Sequence, residues 1–184
     1  MATANKEEAF TFLELIFVLA IVAILAAIVI PNFRQPVYER KQFIDHLNAL
    51  LQVSWQDAIV TNKLHKISFD FDKNLISVDV QTDKKAANDD FIYKPMSSKY
   101  LNATYKWPSD RFEFKNFYIN KRDEMVATLK NRQSGKIWFF MVPDGLAQPV
   151  IINIVDTKDR DRKFSLVLNP FTAKFSEYDV FKKP

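Results

Sequence analysis

One carboxylate stands inside an otherwise apolar run of the sequence. The run extends from Phe10 to Ile30, reads FTFLELIFVLAIVAILAAIVI, and has Thr11 and Glu14 as its polar residues. An ionised carboxylate in hydrocarbon costs on the order of 2.5 kcal/mol or more, and a cation beside it lowers that cost. Glu14 is therefore a candidate functional residue whose chemistry would be ion pairing. The alternative is a plain membrane anchor, in which the helix dipole and headgroup water tolerate an acid in the first turn.

The other reactive side chains show no enzyme signature. The chain has two histidines, His46 and His65, and no cysteine, which nearly excludes the common metal and nucleophile constellations. Both histidines are predicted to be surface or hydrogen-bonded structural residues. The acidic groups at 89–90 and 156–161 lack an ordered ligand spacing such as the EF-hand loop, so we interpret them as solvated turns. The sequence predicts a protein that is not an enzyme and that holds neither a metal nor a cofactor.

The apolar run has the length of a membrane span. With about 1.5 Å rise per residue, a helix over it is roughly 30 Å long, the thickness of the hydrocarbon core of a bilayer. Pro31 is predicted to stop or kink this helix, and a bend is expected between Pro31 and Pro36. Residues 1–9 are polar and end in the small residue Ala9, whereas a secretory signal has its small-residue cleavage site after the apolar core. Any cleavage would therefore fall before the run and leave it on the protein.

These residues resemble the N-terminus of type IV pilins and type II secretion pseudopilins. The resemblance rests on Ala9-Phe10-Thr11-Phe12-Leu13-Glu14, on the apolar run, and on Ile30-Pro31-Asn32-Phe33 after it. It implies that residues 1–9 are a leader peptide, that a prepilin peptidase cleaves between Ala9 and Phe10, and that the new Phe10 amine is N-methylated. It also implies that Glu14, the fifth residue of the mature chain, pairs with the N-terminal amine of a neighbouring subunit in a filament core.

Beyond the apolar run, the pattern changes to that of an amphipathic helix and then to that of strands. An apolar stripe at helical spacing predicts that residues 31–62 continue the helix to about Val60. Alternation predicts strands at 64–71 and 75–81, and further strands are predicted at 111–120, 137–142, 149–155, 164–168 and 172–178. Three pairs of these are predicted to form hairpins, including 137–142 with 149–155 across the turn Pro143-Asp144-Gly145.

The remaining segments carry weaker patterns. Residues 81–90 are predicted to form a surface loop, and residues 91–107 to be irregular apart from one short strand. Residues 123–130 fit a helical turn and a strand equally, and residues 181–184 are expected to form a loose tail. We predict an α+β protein in which a long N-terminal helix packs on antiparallel β-sheet. Residues 10–30 would be transmembrane and residues 63–184 would form a β-rich domain, which by the resemblance would lie in the periplasm.

Two later segments of the sequence resemble one particular subgroup of this family. The helix end Trp55-Gln56-Asp57-Ala58-Ile59-Val60-Thr61-Asn62, and the strand and turn Ile137-Trp138-Phe139-Phe140-Met141-Val142-Pro143-Asp144-Gly145, are similar to those of H-type minor pseudopilins and FimT-type minor pilins. The resemblance implies a non-enzymatic structural subunit of a type II secretion pseudopilus, single-pass in the inner membrane. The partners it implies are other pseudopilins or pilins, the prepilin peptidase, the inner-membrane assembly platform and the lipid bilayer.

The alternative function is a minor type IV pilin whose head binds DNA or another ligand in DNA uptake or adhesion. The chain has a net charge of +4, and short basic groups such as Lys121-Arg122 and residues 160–163 could contact phosphate. FimT-type relatives in DNA-uptake pili bind DNA. The sequence lacks the aromatic-interleaved basic stripe typical of single-strand binding, so nucleic acid is the less favoured partner.

Overall fold

A computed structural model describes residues 12–85, 90–98, 102–126, 135–159 and 161–184, with the backbone alone at 27–37. The chain divides into two compact units, Met1–Glu39 and Arg40–Pro184. The predicted leader, residues 1–9, lies outside the described residues. The helix and strands are, in chain order, α1 (Phe12–Thr61), β1 (His65–Asp70), β2 (Leu75–Lys85), β3 (Phe91–Pro95), β4 (Thr104–Lys106), β5 (Phe112–Ile119), β6 (Arg122–Asp123), β7 (Lys136–Met141), β8 (Val150–Asp156), β9 (Arg162–Asn169) and β10 (Lys174–Tyr178).

The predicted apolar stripe of α1 is confirmed. Each of its members is at most 8% exposed: Phe43, Ile44, Leu47, Leu50, Leu51, Ser54 and Ala58. The helix ends in a Schellman motif, in which Asn62 has φ 52° and the Lys63 N–H donates to the Ala58 carbonyl at 3.3 Å.

Of the two outcomes predicted at Pro31, a stop or a kink, the stop does not occur, because α1 continues to Thr61. A proline inside a helix removes one N–H donor and crowds the carbonyl four residues earlier, which can kink a long helix without ending it. The predicted bend between Pro31 and Pro36 stays a prediction.

The first sheet has the strand order β3-β2-β1-β7, and β4 also pairs with β2. β1 and β2 form the predicted antiparallel hairpin. β2 runs on to Lys85, past the start of the loop predicted from residue 81, because β3 pairs with its far end at Gln81 and Lys85. The segment predicted to have one short strand has two, β3 and β4.

The second sheet has the order β10-β9-β8-β5-β6, with antiparallel neighbours throughout. β9 and β10 form the predicted last hairpin. A register shift between Phe114 and Asn116 resets the alternation of β5, so that Phe112 and Phe114 face the core before it and Phe117 and Ile119 after it.

The predicted hairpin of residues 137–142 with 149–155 is wrong. β7 pairs with β1 in the first sheet, whereas β8 lies between β5 and β9 in the second. An isolated bridge joins Met141 at the end of β7 to Ala147, which lies before β8. β8 carries apolar side chains on both faces, and all of them except that of Ile151 are buried.

One core serves both sheets and the part of α1 from Phe43 onwards. The Phe69 ring on β1 meets the Phe117 ring on β5 edge to face, with centroids 5.0 Å apart. The Phe43 ring on α1 lies 4.7 Å from that of Phe112 on β5. Aromatic contacts therefore tie helix, first sheet and second sheet together, since such pairs contribute about 0.5–1.5 kcal/mol beyond the area they bury.

Candidate functional site

The first turns of α1 expose apolar side chains in every direction. Phe12 and Leu13 are 79% and 73% exposed, and each residue from Leu15 to Leu19 is at least 50% exposed. Successive residues of a helix are rotated by about 100°, so five in a row cover the whole circumference. A helix that is apolar all round requires lipid or other protein around it.

Glu14 lies in the first turn of this helix and is exposed. The partial positive charge at a helix N-terminus favours a carboxylate there. Its neighbours in sequence, Leu13 and Leu15, are apolar and exposed, so the carboxylate sits at the head of an apolar surface. This arrangement can bind a cation supplied by another molecule, and the assembly role of Glu14 stays a prediction.

The other residues predicted for this region are described in part or not at all. Ala9 and Phe10, the predicted cleavage and methylation site, lie outside the described residues. Only the backbone is described at Pro31 and Pro36. In the part of the chain that is described, no helix is both long enough and apolar enough to cross a membrane. The predicted span, residues 10–30, includes residues at both ends whose side chains are not described, and it stays a prediction.

In the second unit, the C-terminal end of α1 contacts the turn that follows β7. The Trp55 indole N–H on α1 donates to the Gly145 carbonyl at 2.8 Å. Gly145 has φ 83°, as the predicted turn requires, and a Cβ there would come 3.4 Å from Cδ1 of Ile59. The turn after β7 is thereby held against the last turns of α1.

Arg40, the first residue of the second unit, is held by carboxylates of the second sheet region. Its Nη1 lies 3.1 Å from Asp159 and its Nε 3.2 Å from Glu177, and its side chain is 8% exposed. The guanidinium also lies 5.8 Å from the centre of the Phe164 ring. Sequence reasoning missed this role, because the partners are more than a hundred residues away and no local pattern marks Arg40 among the other basic residues.

The interpretation of Asp156 as part of a solvated turn is wrong. Asp156 is fully buried and accepts hydrogen bonds from Nε and Nη2 of Arg111 at 2.9 and 2.7 Å. Arg111 is itself 1% exposed. A buried carboxylate needs such a partner, because the pair relieves the desolvation penalty that each ion would meet alone.

The two histidines have the structural roles predicted for them. His65 is fully buried, with Nε2 2.8 Å from Asp57 and Nδ1 3.0 Å from the Lys63 carbonyl. His46 is exposed, contacts the Gln42 carbonyl through Nδ1 at 2.8 Å and stacks on Tyr105. Among the described side chains, no group of three or more His, Cys, Asp or Glu is placed to hold a metal ion.

On the outer face of the first sheet, a lysine and aromatic rings from separate strands lie close together. Lys66 Nζ on β1 lies 4.5 Å from the Trp138 ring centre on β7 and 5.5 Å from that of Tyr93 on β3. Tyr93 and Phe140 have ring centroids 6.3 Å apart. Burial, with a smaller contribution from the charge of Asp90, raises the pKa of Tyr93. Sequence reasoning missed this surface because its residues are far apart in the chain.

Taken together, the fold and the exposed helix define a class of protein. A long N-terminal helix followed by antiparallel sheets, with an apolar first segment that carries one acid, is the α+β architecture of pilin-like subunits. The comparisons with known proteins agree with this class. Residues 4–30 match the family model of the prokaryotic N-terminal methylation motif.

The fold is similar to that of a solved pseudopilin. The structure of the minor pseudopilin EpsH from the Type 2 Secretion System of Vibrio cholerae matches with a TM-score of 0.51 and 11% sequence identity, over 76% of this chain and 96% of that one. No curated protein sequence matches the chain. At this identity the likeness establishes the fold, which is pilin-like. With the methylation motif it supports a place in the type IV pilin and pseudopilin family.

Proposed function

We propose that the chain is a minor pseudopilin, a non-enzymatic structural subunit of a type II secretion pseudopilus that assembles through its N-terminal helix. One observation carries the proposal: the first turns of α1 expose apolar side chains all round, with Glu14 in the first turn. Such a surface is stable in lipid or among similar helices, and the acid makes a charged neighbour favourable. The EpsH-like fold supports the pseudopilin subtype.

In this proposal the helix serves first as an anchor and then as a filament core. Residues 1–9 are the leader, which a prepilin peptidase removes after Ala9, and the Phe10 amine is methylated. Residues 10–30 hold the subunit in the inner membrane, residues 31–62 continue as the amphipathic helix, and residues 63–184 lie in the periplasm. On assembly, the Glu14 carboxylate pairs with the N-terminal amine of a neighbouring pilin or pseudopilin.

Mass analysis of the N-terminus tests the processing step. The chain is expressed with an active prepilin peptidase and extracted from the inner membrane with detergent. We expect a chain that begins with methylated Phe10. An intact Met1 on membrane-extracted protein from that host would contradict the proposal.

Cross-linking tests the role of Glu14. Glu14→Gln removes the charge and keeps the size, and Asp45→Asn is the matched control because Asp45 is an exposed acid on a later turn of the same helix. We expect Glu14→Gln to be processed normally but to cross-link to neighbouring subunits at least tenfold less than the wild type, with Asp45→Asn unchanged. Wild-type levels of helix-to-helix cross-links in Glu14→Gln would contradict the proposed pairing role of Glu14.

The outer face of the first sheet favours a second candidate, a minor pilin whose head binds single-stranded DNA. Lys66 between the rings of Tyr93 and Trp138 supplies the combination of cation and stacking surface that single strands bind. If this is correct, the detergent-solubilised chain is retained on single-stranded DNA in a salt-dependent manner. Lys66→Ala should abolish retention, and Lys174→Ala, at an exposed lysine of β10, should not. Loss of secretion without DNA affinity favours the pseudopilin.

A further inference from the structure

A row of polar side chains crosses the second sheet from strand to strand. Ser165 on β9, Asn153 on β8 and Asn116 on β5 stand opposite one another in the strand register. Ser165 Oγ lies 2.6 Å from Asn153 Oδ1, and Asn153 Nδ2 donates to Asn116 Oδ1 at 3.2 Å. Asn116 Nδ2 donates to Asp123 at 2.8 Å. We call Ser165, Asn153, Asn116 and Asp123 the polar row.

Residues 179–182 lie over the polar row, so the expectation of a loose tail from 181 onwards is wrong at Lys182. The Lys182 N–H is shared between Ser165 Oγ at 2.9 Å and Asn153 Oδ1 at 3.2 Å. Asn153 Nδ2 donates to the Lys182 carbonyl at 3.0 Å, and Ser165 Oγ lies 2.7 Å from the Val180 carbonyl oxygen. Asn153 and Ser165 are 1% and 0% exposed.

All of these bonds use backbone atoms of the overlying segment. Side-chain amides and hydroxyls that bind a backbone accept any segment that places its N–H and C=O groups at the same positions, whatever its side chains are. The side chains of the overlying segment meet a basic rim instead. Asp179 pairs with Arg162, and the Phe181 ring centre lies 5.9 Å from Lys163 Nζ. The rim therefore favours an acidic residue two positions before an aromatic one.

The segment is held with much of its surface in solvent. Val180 and Phe181 are 58% and 37% exposed, and the Arg162 and Asp179 side chains are 41% and 68% exposed. Exposed ion pairs contribute only about 0.2–1 kcal/mol. The backbone bonds are therefore the main attachment, and another segment that makes the same bonds can replace this one.

We propose that the polar row, with Arg162 and Lys163, is a binding site for a short segment of a partner protein that carries an acidic residue two positions before an aromatic one. Residues 179–182 occupy the site as an intramolecular ligand. A tethered ligand acts at an effective concentration on the order of millimolar. The partner segment therefore competes only when it binds more tightly or is itself held nearby, as it would be in an assembly. The proposal concerns the second sheet and is independent of the role of Glu14.

The test compares two variants of the full chain in non-ionic detergent. Lys182→Pro removes the N–H that both Asn153 and Ser165 accept, whereas Lys182→Ala removes the side chain and keeps that N–H. The probe is a dye-labelled peptide with the sequence of residues 177–184, and its binding is followed by fluorescence polarisation. We expect the peptide to bind Lys182→Pro at least tenfold more tightly than it binds Lys182→Ala or the wild type.

Two further measurements locate the binding. Adding Ser165→Ala to Lys182→Pro should weaken peptide binding at least tenfold, while adding Ser77→Ala, at a serine of β2 in the first sheet, should leave it unchanged. Because Ser165→Ala could disturb the fold, a peptide with Asn in place of Asp179 is also titrated against Lys182→Pro, and it should bind more weakly. Equal binding to Lys182→Pro and Lys182→Ala, or binding to neither, would overturn the proposal.

Discussion

Removal of one member of the buried Arg111–Asp156 pair should strongly destabilise the second unit. Both side chains are at most 1% exposed, and hydrogen bonds of 2.9 and 2.7 Å join them. Breaking a buried pair from one side typically costs about 3–5 kcal/mol, because the remaining charge stays in the interior. For Asp156→Ala we therefore expect the free energy of unfolding to fall by about 3–5 kcal/mol, which lowers Tm by roughly 6–20 °C for a unit of this size.

The assay is urea unfolding of the full chain in non-ionic detergent, followed by tryptophan fluorescence. All three tryptophans belong to the second unit: Trp55, Trp107 and Trp138. The matched control is Asp110→Ala, which removes an ion pair with Lys158 whose side chains are 65% and 52% exposed. An exposed pair contributes about 0.2–1 kcal/mol. The m-value should stay constant across the variants, since the surface exposed on unfolding is unchanged.

A double replacement separates charge from packing. Arg111→Met with Asp156→Leu removes both ions and keeps apolar volume in place, and it should recover most of the stability that Asp156→Ala loses. The reasoning is refuted if Asp156→Ala is no worse than Asp110→Ala. If the double variant is as unstable as the single one, lost packing and not the uncompensated charge is the cause.

Three further changes have expected outcomes. Burial opposes ionisation of Asp70, but the Lys73 N–H and the Lys136 ammonium outweigh it and hold the pKa of Asp70 below its ordinary value of 3.8. The ionised carboxylate therefore stabilises the fold at neutral pH, and this contribution is lost as the pH falls below about 4. Asp70→Asn should weaken the loss of stability at acid pH when unfolding is measured as a function of pH. Gly145→Ala should cost about 1–2 kcal/mol in urea unfolding because of the positive φ, and a loss below 0.5 kcal/mol would show that the turn relaxes. Leu47→Ala, at a fully buried position of α1, should cost about 2–5 kcal/mol in the same assay, whereas Ala at exposed Lys41 should be nearly neutral.

Features with a local cause were predictable from the sequence. The stripe of α1, the hairpin of β1 with β2 and that of β9 with β10 follow from side-chain period and turn residues, which act within a few positions. The apolar run with Glu14 was also predictable, because its composition alone indicates that one small domain cannot cover the helix. These features include the candidate assembly site, so the sequence carried the main functional hypothesis.

Features that depend on distant partners were mispredicted or missed. The apolar run of β8 predicts a strand, but it does not determine which strand lies beside it, and the tertiary structure places β8 between β5 and β9. Asp156 reads as one of several acids in a polar turn until Arg111, 45 positions earlier, is placed against it. The polar row has no local signature, since each strand contributes a single side chain.

By itself, the sequence determined that an apolar helix carrying one acid continues as an amphipathic helix and is followed by antiparallel strands. Period and composition encode these properties, because each residue responds to neighbours a few positions away. Only the tertiary structure decided which strands share a sheet, which charges are buried in pairs and which backbone covers Asn153. Those choices are made between segments far apart in the chain, where pairing and burial depend on the whole packed unit and no short window of sequence contains both partners.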